Sequence, residues 1–229
     1  MSRTGGDLKP DAAGPDAAGF VLAGGRSSRM GQDKALVQLA GRPLVAHALA
    51  VLRNAGLEAS LAGASSSLAA FAPVVEDYES GRGPLGGICS PLASTAARRA
   101  VFLPVDLALL PVSLVDYLLY HAQITGRAVT LPSVNGFAQT FPVVVDRAVL
   151  PTLEAELAAG RGGCFSAFQT AAASLGQPVS VVAVELLVQS GQAAHPDCLP
   201  AAYWFLNINT VADLRRAEAY CPSRSHRVI

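Results

Sequence analysis

Residues 22–43 read LAGGRSSRMGQDKALVQLAGRP, and the short apolar run GFVLA at residues 19–23 leads into them. An apolar run of this length that stops at glycine is typical of a buried parallel strand. The Gly24-Gly25 pair permits a sharp turn after the strand and lets backbone N–H groups approach a ligand closely. This order of features predicts a ligand-binding loop at the carboxyl edge of a sheet, where open α/β sheets bind their ligands.

Among the cationic side chains of this loop are Arg29 and Lys34. The Arg29 guanidinium can bind two phosphate oxygens at once, whereas the Lys34 ammonium acts as a point charge. Neither the GxxxxGK[ST] pattern of Walker A loops nor the GxGxxG pattern of dinucleotide-binding folds occurs at this turn. The loop therefore predicts a phosphate site of another kind.

Apolar runs of strand length alternate with segments of helical apolar spacing along most of the chain. The predicted strands cover residues 19–23, 57–62, 74–76, 100–105, 128–131, 141–145, 179–184 and 203–206. The predicted helices cover residues 43–56, 113–125, 148–159 and 210–220, and a weaker helix follows a glycine-rich loop at 81–87. This alternation predicts an α/β fold with three α/β/α layers and a mostly parallel central sheet.

The composition argues against several classes of protein. Hydrophobic residues make up 51% of the chain, and 17 acidic residues balance 17 basic ones, which excludes a disordered or coiled-coil chain and gives no basic surplus for nucleic acid. Four widely spaced cysteines without a CxxC pattern argue against structural zinc and against a disulfide framework. No apolar run reaches the roughly 18 residues that a membrane-spanning helix needs. We therefore expect a cytoplasmic protein with no nucleic-acid or membrane partner.

The length of 229 residues is that of one domain or of two small ones. The first 18 residues are rich in glycine, proline, aspartate and alanine and hold no apolar core, which is typical of a flexible leader. We expect a single domain at residues 19–220 and a flexible tail at residues 221–229.

The long loop motif and three later motifs together resemble a known family. The string LAGGRSSRMGQDKAL at residues 22–36 is similar to the pattern LAGGxSxRMGxDK of the MobA-like nucleotidyltransferases. Three further features agree with that family in order and approximate spacing: GPLGG at 83–87, Asp106 after an apolar strand, and NINT at 207–210 followed by Asp213-Leu214. The resemblance covers about residues 18–216, and it is greatest to the members that make the guanine dinucleotide form of the molybdenum cofactor.

The resemblance implies a Rossmann-like fold of the nucleotide-diphospho-sugar-transferase type and an Mg²⁺-dependent transfer of GMP from GTP to the phosphate of molybdopterin. Lys34, Arg29 and Asp106 would be the catalytic residues, with Asp106 holding Mg²⁺, and Asn207 and Asn209 would shape the molybdopterin side. The residues that the resemblance assigns to the nucleotide are Leu22, Ala23, Gly24, Gly25, Arg29, Lys34, Gly83, Gly87 and Asp77, for which Glu76 is an alternative. Other proteins of cofactor biosynthesis and apo-molybdoenzymes would be partners.

Two departures from the family pattern stand beside these matches. The family usually has a proline two residues after the aspartate, where this chain has Leu107 and Ala108, and the segment 63–65 reads GAS where relatives often carry an asparagine.

A cytidylyltransferase acting on molybdopterin, a sugar phosphate or an isoprenoid phosphate is an alternative, although such relatives tend to read LAAG at the first turn. A regulatory module that binds nucleotide without catalysis is a second alternative. Thr210 and Asp213 also form a capping-box pattern, which predicts a structural role for Asp213.

Overall fold

In a computed structural model, which describes residues 16–24, 33–63, 66–76 and 83–221, eight strands form one mixed sheet and two short strands form a hairpin. The strands of the sheet are β1 (Ala17–Leu22), β4 (Glu58–Ala62), β5 (Val74–Val75), β6 (Arg99–Pro104), β7 (Val129–Val134), β8 (Phe137–Ala138), β9 (Val143–Asp146) and β10 (Ser180–Ala183). The hairpin consists of β2 (Gln38–Leu39) and β3 (Arg42–Pro43).

Eight α-helices connect and cover these strands within the described residues. They are α1 (Leu44–Asn54), α2 (Gly83–Ser94), α3 (Val112–Thr125), α4 (Leu150–Ala158), α5 (Cys164–Ser174), α6 (Val184–Gln189), α7 (Ala201–Trp204) and α8 (Val211–Glu218). Three single turns of 3-10 helix lie at Lys34–Leu36, Ser66–Leu68 and Arg147–Val149. None of the helices in this part of the chain has the length and hydropathy that crossing a bilayer requires.

The strand order in the sheet is β10-β7-β9-β6-β1-β4-β5, with β8 paired to β7. β1 lies at the centre and is parallel to both neighbours, β4 and β6. β9 is inserted antiparallel between β6 and β7, so β7 keeps the direction of β6. The prediction of a mostly parallel central sheet is confirmed, and the carboxyl ends of β1, β4 and β6 share one edge.

Helices cover both faces of the sheet, as the three-layer prediction requires. Because side chains alternate along a strand, Phe20 and Val21 of β1 belong to two different apolar clusters. Phe20 stacks on Phe102 of β6, with ring centroids 5.5 Å apart, on the face covered by α2, α4 and α5. Val21 packs on the opposite face, in the cluster to which α1 and α3 contribute.

The predicted glycine-rich loop at residues 81–87 is wrong over its described part, because α2 already begins at Gly83. Pro84 accounts for this start, since proline suits the first turn of a helix, where its missing N–H group is not needed. Gly86 and Gly87 are buried, and the absence of side chains there leaves room for close packing of the helix. Glycine-rich sequence predicts a loop, but at these two positions glycine permits close packing inside a helix.

The predicted strand at residues 203–206 is also wrong, because residues 201–204 form the short helix α7. Trp204 is buried, and its indole N–H group donates to the Leu199 carbonyl oxygen at 2.7 Å. A single helical turn after Pro200 brings the indole to that acceptor, and a buried indole N–H group needs such a partner. An apolar run of four residues is too short for its periodicity to distinguish a strand from a helical turn.

The predicted domain limits are shifted at the first strand. Ala17 and Ala18, which were assigned to the leader, belong to β1. The remainder of the predicted leader, at 1–15, and the predicted tail from 222 onwards lie outside the described residues.

Candidate active site

The segments that follow β1 and β6 remain hydrogen-bonded to neighbouring strands for one residue beyond their own strands. The Ala23 N–H group donates to the Ala62 carbonyl oxygen, and the Val105 N–H group donates to the Leu22 carbonyl oxygen, both at 3.1 Å. Because the three strands are parallel neighbours, these hydrogen bonds place Gly24, Gly63 and Asp106 side by side at the carboxyl edge. The turn after Leu22 and the candidate metal ligand are therefore adjacent.

Gly24 approaches the backbone of the next loop very closely. A Cβ atom at this position would lie 2.8 Å from the carbonyl oxygen of Gly63, a distance that requires the backbone to move. The sequence prediction justified this glycine by the approach of a ligand. The structure adds a second reason, which is the packing of one loop on another.

We expect Gly24→Ala to lower the free energy of unfolding by about 1–3 kcal/mol, the usual cost of forcing extra volume into a packed site. Gly162→Ala is the matched control, since a Cβ atom at Gly162 meets nothing within 4 Å. Urea denaturation of both variants measures the difference. Equal free energies of unfolding for the Gly24→Ala and Gly162→Ala variants would show that the contact between Gly24 and Gly63 leaves room for a Cβ atom.

Lys34 is presented by the single 3-10 turn Lys34–Leu36, which begins after an aspartate cap. The Asp33 carboxylate accepts from the Ala35 N–H group at 3.0 Å, and Ala35 is fully buried. These two contacts fix the backbone at Lys34 while its long side chain reaches across the sheet edge. The Lys34 ammonium donates to Asp106 Oδ2 at 2.7 Å and also to Asn209 Oδ1.

Asp106 lies two residues beyond the end of β6 and is held by its backbone as well as its side chain. Its carbonyl oxygen accepts from the Ile208 N–H group at 3.2 Å. The Leu107 N–H group closes the turn by donating to the Pro104 carbonyl oxygen. The Leu107 side chain is buried. The apolar residues that replace the family's usual proline are therefore compatible with an ordered turn at Asp106.

One carboxylate oxygen of Asp106 is paired and the other is not. Oδ2 accepts from Lys34, whereas Oδ1 is buried and has no hydrogen-bond partner among the described residues. A buried carboxylate oxygen without a partner is costly, and its presence indicates that a donor or a cation belongs there. This oxygen is the observation that favours Asp106 as a cation ligand.

Asn209 is positioned by the cap of α8. The Asp213 carboxylate accepts from the Asn209 N–H group at 3.1 Å and from both the N–H and the hydroxyl group of Thr210. These hydrogen bonds, chiefly that of the Thr210 hydroxyl, lower the pKa of Asp213. Thr210 and Asp213 form a complete capping box, so the predicted structural role of Asp213 is confirmed.

The other predicted site residues occupy different places. Leu22, Ala23 and Gly24 lie at the end of β1, and Gly83 begins α2, whose N-terminus faces this edge because α2 connects two parallel strands. Gly87 is buried one turn further along α2. The side-chain amide of Asn207 donates to the Phe205 carbonyl oxygen at 3.4 Å. Three predicted residues, Gly25, Arg29 and Asp77, lie outside the described residues, while the alternative residue Glu76 is exposed directly after β5.

The protein groups available for a metal ion are few. No cluster of three or more His, Cys, Asp or Glu side chains occurs in the described part of the chain. Mg²⁺ does not need one, because it is commonly bound by one or two carboxylates together with substrate phosphates and water. Asp106 with its unpartnered Oδ1 fits an ion of that kind, and it does not fit a structural metal enclosed by protein ligands.

The contact between Lys34 and Asn209 was not anticipated. The resemblance assigns Asn209 to the second substrate, yet its side-chain oxygen accepts a hydrogen bond from the ammonium of Lys34, 175 positions away in the chain. No periodicity or spacing in the sequence signals this contact. It depends on the Ile208–Asp106 hydrogen bond, which brings the two parts of the chain together.

Comparison with known proteins identifies the family of the chain. Residues 19–178 match the MobA-like NTP transferase domain. A molybdenum cofactor guanylyltransferase of Pseudomonas putida is 36% identical over 157 residues, which cover 66% of this chain and 81% of that protein. One from Xanthomonas euvesicatoria is 47% identical over 107 residues, but the match spans only 46% of this chain and 54% of that protein.

The solved structures support the fold. Molybdopterin-guanine dinucleotide biosynthesis protein A of Archaeoglobus fulgidus superposes with a TM-score of 0.71 and covers 89% of this chain and 98% of its own. The sequence identity in that superposition is 20%, so it speaks for the fold and not for the choice of substrate.

Proposed function

Because the chain belongs to the MobA-like NTP transferase family, we propose that it transfers GMP from GTP to the terminal phosphate of molybdopterin and releases pyrophosphate. The observation that carries this proposal is the convergence of Lys34, Asp106 and Asn209 beside the end of β1. A cation, a carboxylate with a free oxygen and a polar amide at the carboxyl edge of an α/β sheet are suited to phosphate chemistry. The names of the relatives supply the base and the acceptor.

The reaction forms one P–O bond and breaks another. A phosphate oxygen of the acceptor attacks the α-phosphorus of GTP, and the bond from that phosphorus to the β-phosphate oxygen breaks as pyrophosphate leaves. The attacking oxygen is already anionic, so no general base is required. Positioning of the reactants and compensation of negative charge are what the protein has to supply.

Lys34 places a positive charge where the departing pyrophosphate gains negative charge. Asp106 would hold Mg²⁺, which would supply Lewis-acid neutralisation of the phosphate oxygens. Asn209, anchored by Asp213, limits the directions in which the Lys34 side chain can point. Arg29 adds a second cation to the triphosphate.

We assign the guanine and ribose to the segment that follows β1, with Leu22, Ala23, Gly24 and Gly25 as its residues. Gly83 and Gly87 of α2 are assigned to the same nucleotide. Asp77, which lies outside the described residues, is assigned to the nucleoside, and Asn207 to the molybdopterin side. The four cysteines are all free, which suits an enzyme of the reducing cytoplasm.

Competition between nucleotides tests the choice of base. With Mg²⁺ present, we expect GTP to bind at least about tenfold more tightly than CTP or ATP, a preference of roughly 1.4 kcal/mol. Displacement of a fluorescent GTP analogue measures it, with and without molybdopterin. Equal displacement by all three nucleotides would remove the guanine assignment and leave a nucleotidyltransferase of another specificity.

Formation of the product tests catalysis separately. The purified enzyme with GTP, Mg²⁺ and molybdopterin should release one pyrophosphate for each guanine dinucleotide formed. Tight binding of GTP without any release of pyrophosphate would favour the non-catalytic nucleotide-binding module instead.

A further inference from the structure

The ion pair between Lys34 and Asp106 differs from the other ion pairs in the described part of the chain. Both side chains are mostly shielded, with exposed fractions of 17% for Lys34 and 18% for Asp106. In each of the other pairs one partner is more than half exposed. Those pairs are Arg98–Asp146, Arg99–Asp16 and Arg161–Glu156. The ion pair between Lys34 and Asp106 is therefore a shielded contact, unlike the ion pairs at the surface.

We propose that in the nucleotide-free protein the Lys34 ammonium occupies the cation position at Asp106, so that a divalent ion binds Asp106 well only after a triphosphate draws Lys34 away. This inference rests on the proposed function and adds a rule for the order in which the site fills. The ammonium neutralises Asp106 at 2.7 Å. A divalent ion at the same carboxylate would lie within a few ångströms of a second positive charge, which opposes its binding.

The identity of the cation makes the exchange possible. Lysine carries a compact charge on a flexible four-carbon stem, and its ammonium can move between acceptors without the fixed fork geometry of arginine. A triphosphate offers more negative charge than Asp106 and Asn209 together. Once Lys34 leaves, Asp106 Oδ2 and Asn209 Oδ1 are released beside Asp106 Oδ1, which has no hydrogen-bond partner in the described part of the chain.

Asn209 has a part in this exchange as a positioning residue. Its side-chain oxygen is the second acceptor of the ammonium, and its own N–H group is fixed by Asp213. A neutral acceptor holds the ammonium less strongly than a second carboxylate would. The arrangement keeps Lys34 in place without preventing its release.

Binding of Mn²⁺ alone, without any nucleotide, tests the proposal. Mn²⁺ prefers the same oxygen ligands as Mg²⁺ and can be followed by electron paramagnetic resonance. We expect Lys34→Met to bind Mn²⁺ at least about tenfold more tightly than the wild-type protein, since the variant removes an opposing charge next to a shielded carboxylate. The same variant should bind GTP more weakly, so the two affinities change in opposite directions.

Arg161→Met is the matched control, because it also removes one positive charge and also frees a paired carboxylate, that of Glu156. It should leave Mn²⁺ affinity at the wild-type value. The double variant Lys34→Met/Asp106→Asn should lose the gain, which identifies Asp106 as the ligand. If Lys34→Met does not fold, Lys34→Gln removes the charge while keeping a hydrogen-bond donor.

Equal Mn²⁺ affinities of the wild-type and folded Lys34 variants would overturn the proposal, as would a gain that persists in the double variant. Neither result concerns the proposed function, which is judged by GMP transfer in the wild-type enzyme. Failure of that transfer alongside a gain in Mn²⁺ affinity would reject the function and keep the cation exchange.

Discussion

Replacing Lys34 with methionine is expected to lower the rate of GMP transfer by about 10²–10³-fold, the usual effect of removing one preorganised charge from a transition state. Methionine keeps most of the apolar stem and removes the ammonium that contacts Asp106 and Asn209. Single-turnover measurement of pyrophosphate release at saturating GTP and Mg²⁺ separates this loss from weaker substrate binding.

The control for Lys34→Met must remove one positive charge from an ion pair at another place in the protein. Arg161→Met does so at an ion pair formed with Glu156, where the arginine side chain is 62% exposed, and we expect its transfer rate to match the wild type. Circular dichroism verifies that both variants are folded. A Lys34→Met enzyme within about threefold of the wild-type rate would exclude Lys34 from the phosphate site.

Replacing Asp106 with asparagine is expected to have the largest effect on activity, a loss of about 10³-fold or more that added Mg²⁺ does not restore. Asparagine keeps the shape of the side chain but removes its charge, and it turns one of the two oxygens into an NH₂ group that repels a cation. The rate of GMP transfer as a function of Mg²⁺ concentration measures this loss. Full activity in Asp106→Asn would place the metal ligand elsewhere.

The ion pair between Lys34 and Asp106 also affects the stability of the protein. Either single substitution leaves one shielded charge without its partner, whereas the double variant Lys34→Met/Asp106→Asn leaves no unpaired charge at this pair. We therefore expect the double variant to be more stable than the sum of the two single losses predicts. It should remain as inactive as Asp106→Asn, because restoring neutrality does not restore the chemistry.

Most of the fold could be predicted because most of its strands are local apolar runs. The run at residues 19–23, the strand before Asp106 and the helix ending ahead of Gly126 agree closely with β1, β6 and α3. The errors occurred where a residue type serves two structures. Glycine and proline at 83–87 begin a helix, and the short apolar run at 203–206 contains the end of one.

For the candidate site, the residues could be selected before the structure was available, but their contacts could not. Lys34 could be selected from the residues alone, since a cation after a glycine turn is a local feature, whereas Asp106 and Asn209 are implied by the resemblance to the MobA-like family. Their mutual contact could not be selected. The role of Gly24 in packing against Gly63 was equally hidden, because it involves a backbone oxygen of a different loop.

The amino-acid sequence by itself determined the kind and order of most elements and the residue types at the ends of the strands, because these follow from spacing along a few consecutive residues. Only the tertiary structure decided that the Lys34 ammonium lies between Asp106 and Asn209, from which it is separated by 72 and 175 positions. The physical reason is that β1 and β6 pair in parallel and the segment before α8 bonds to the backbone of Asp106. Contacts of that range depend on how the whole sheet is assembled, and no short stretch of sequence encodes them.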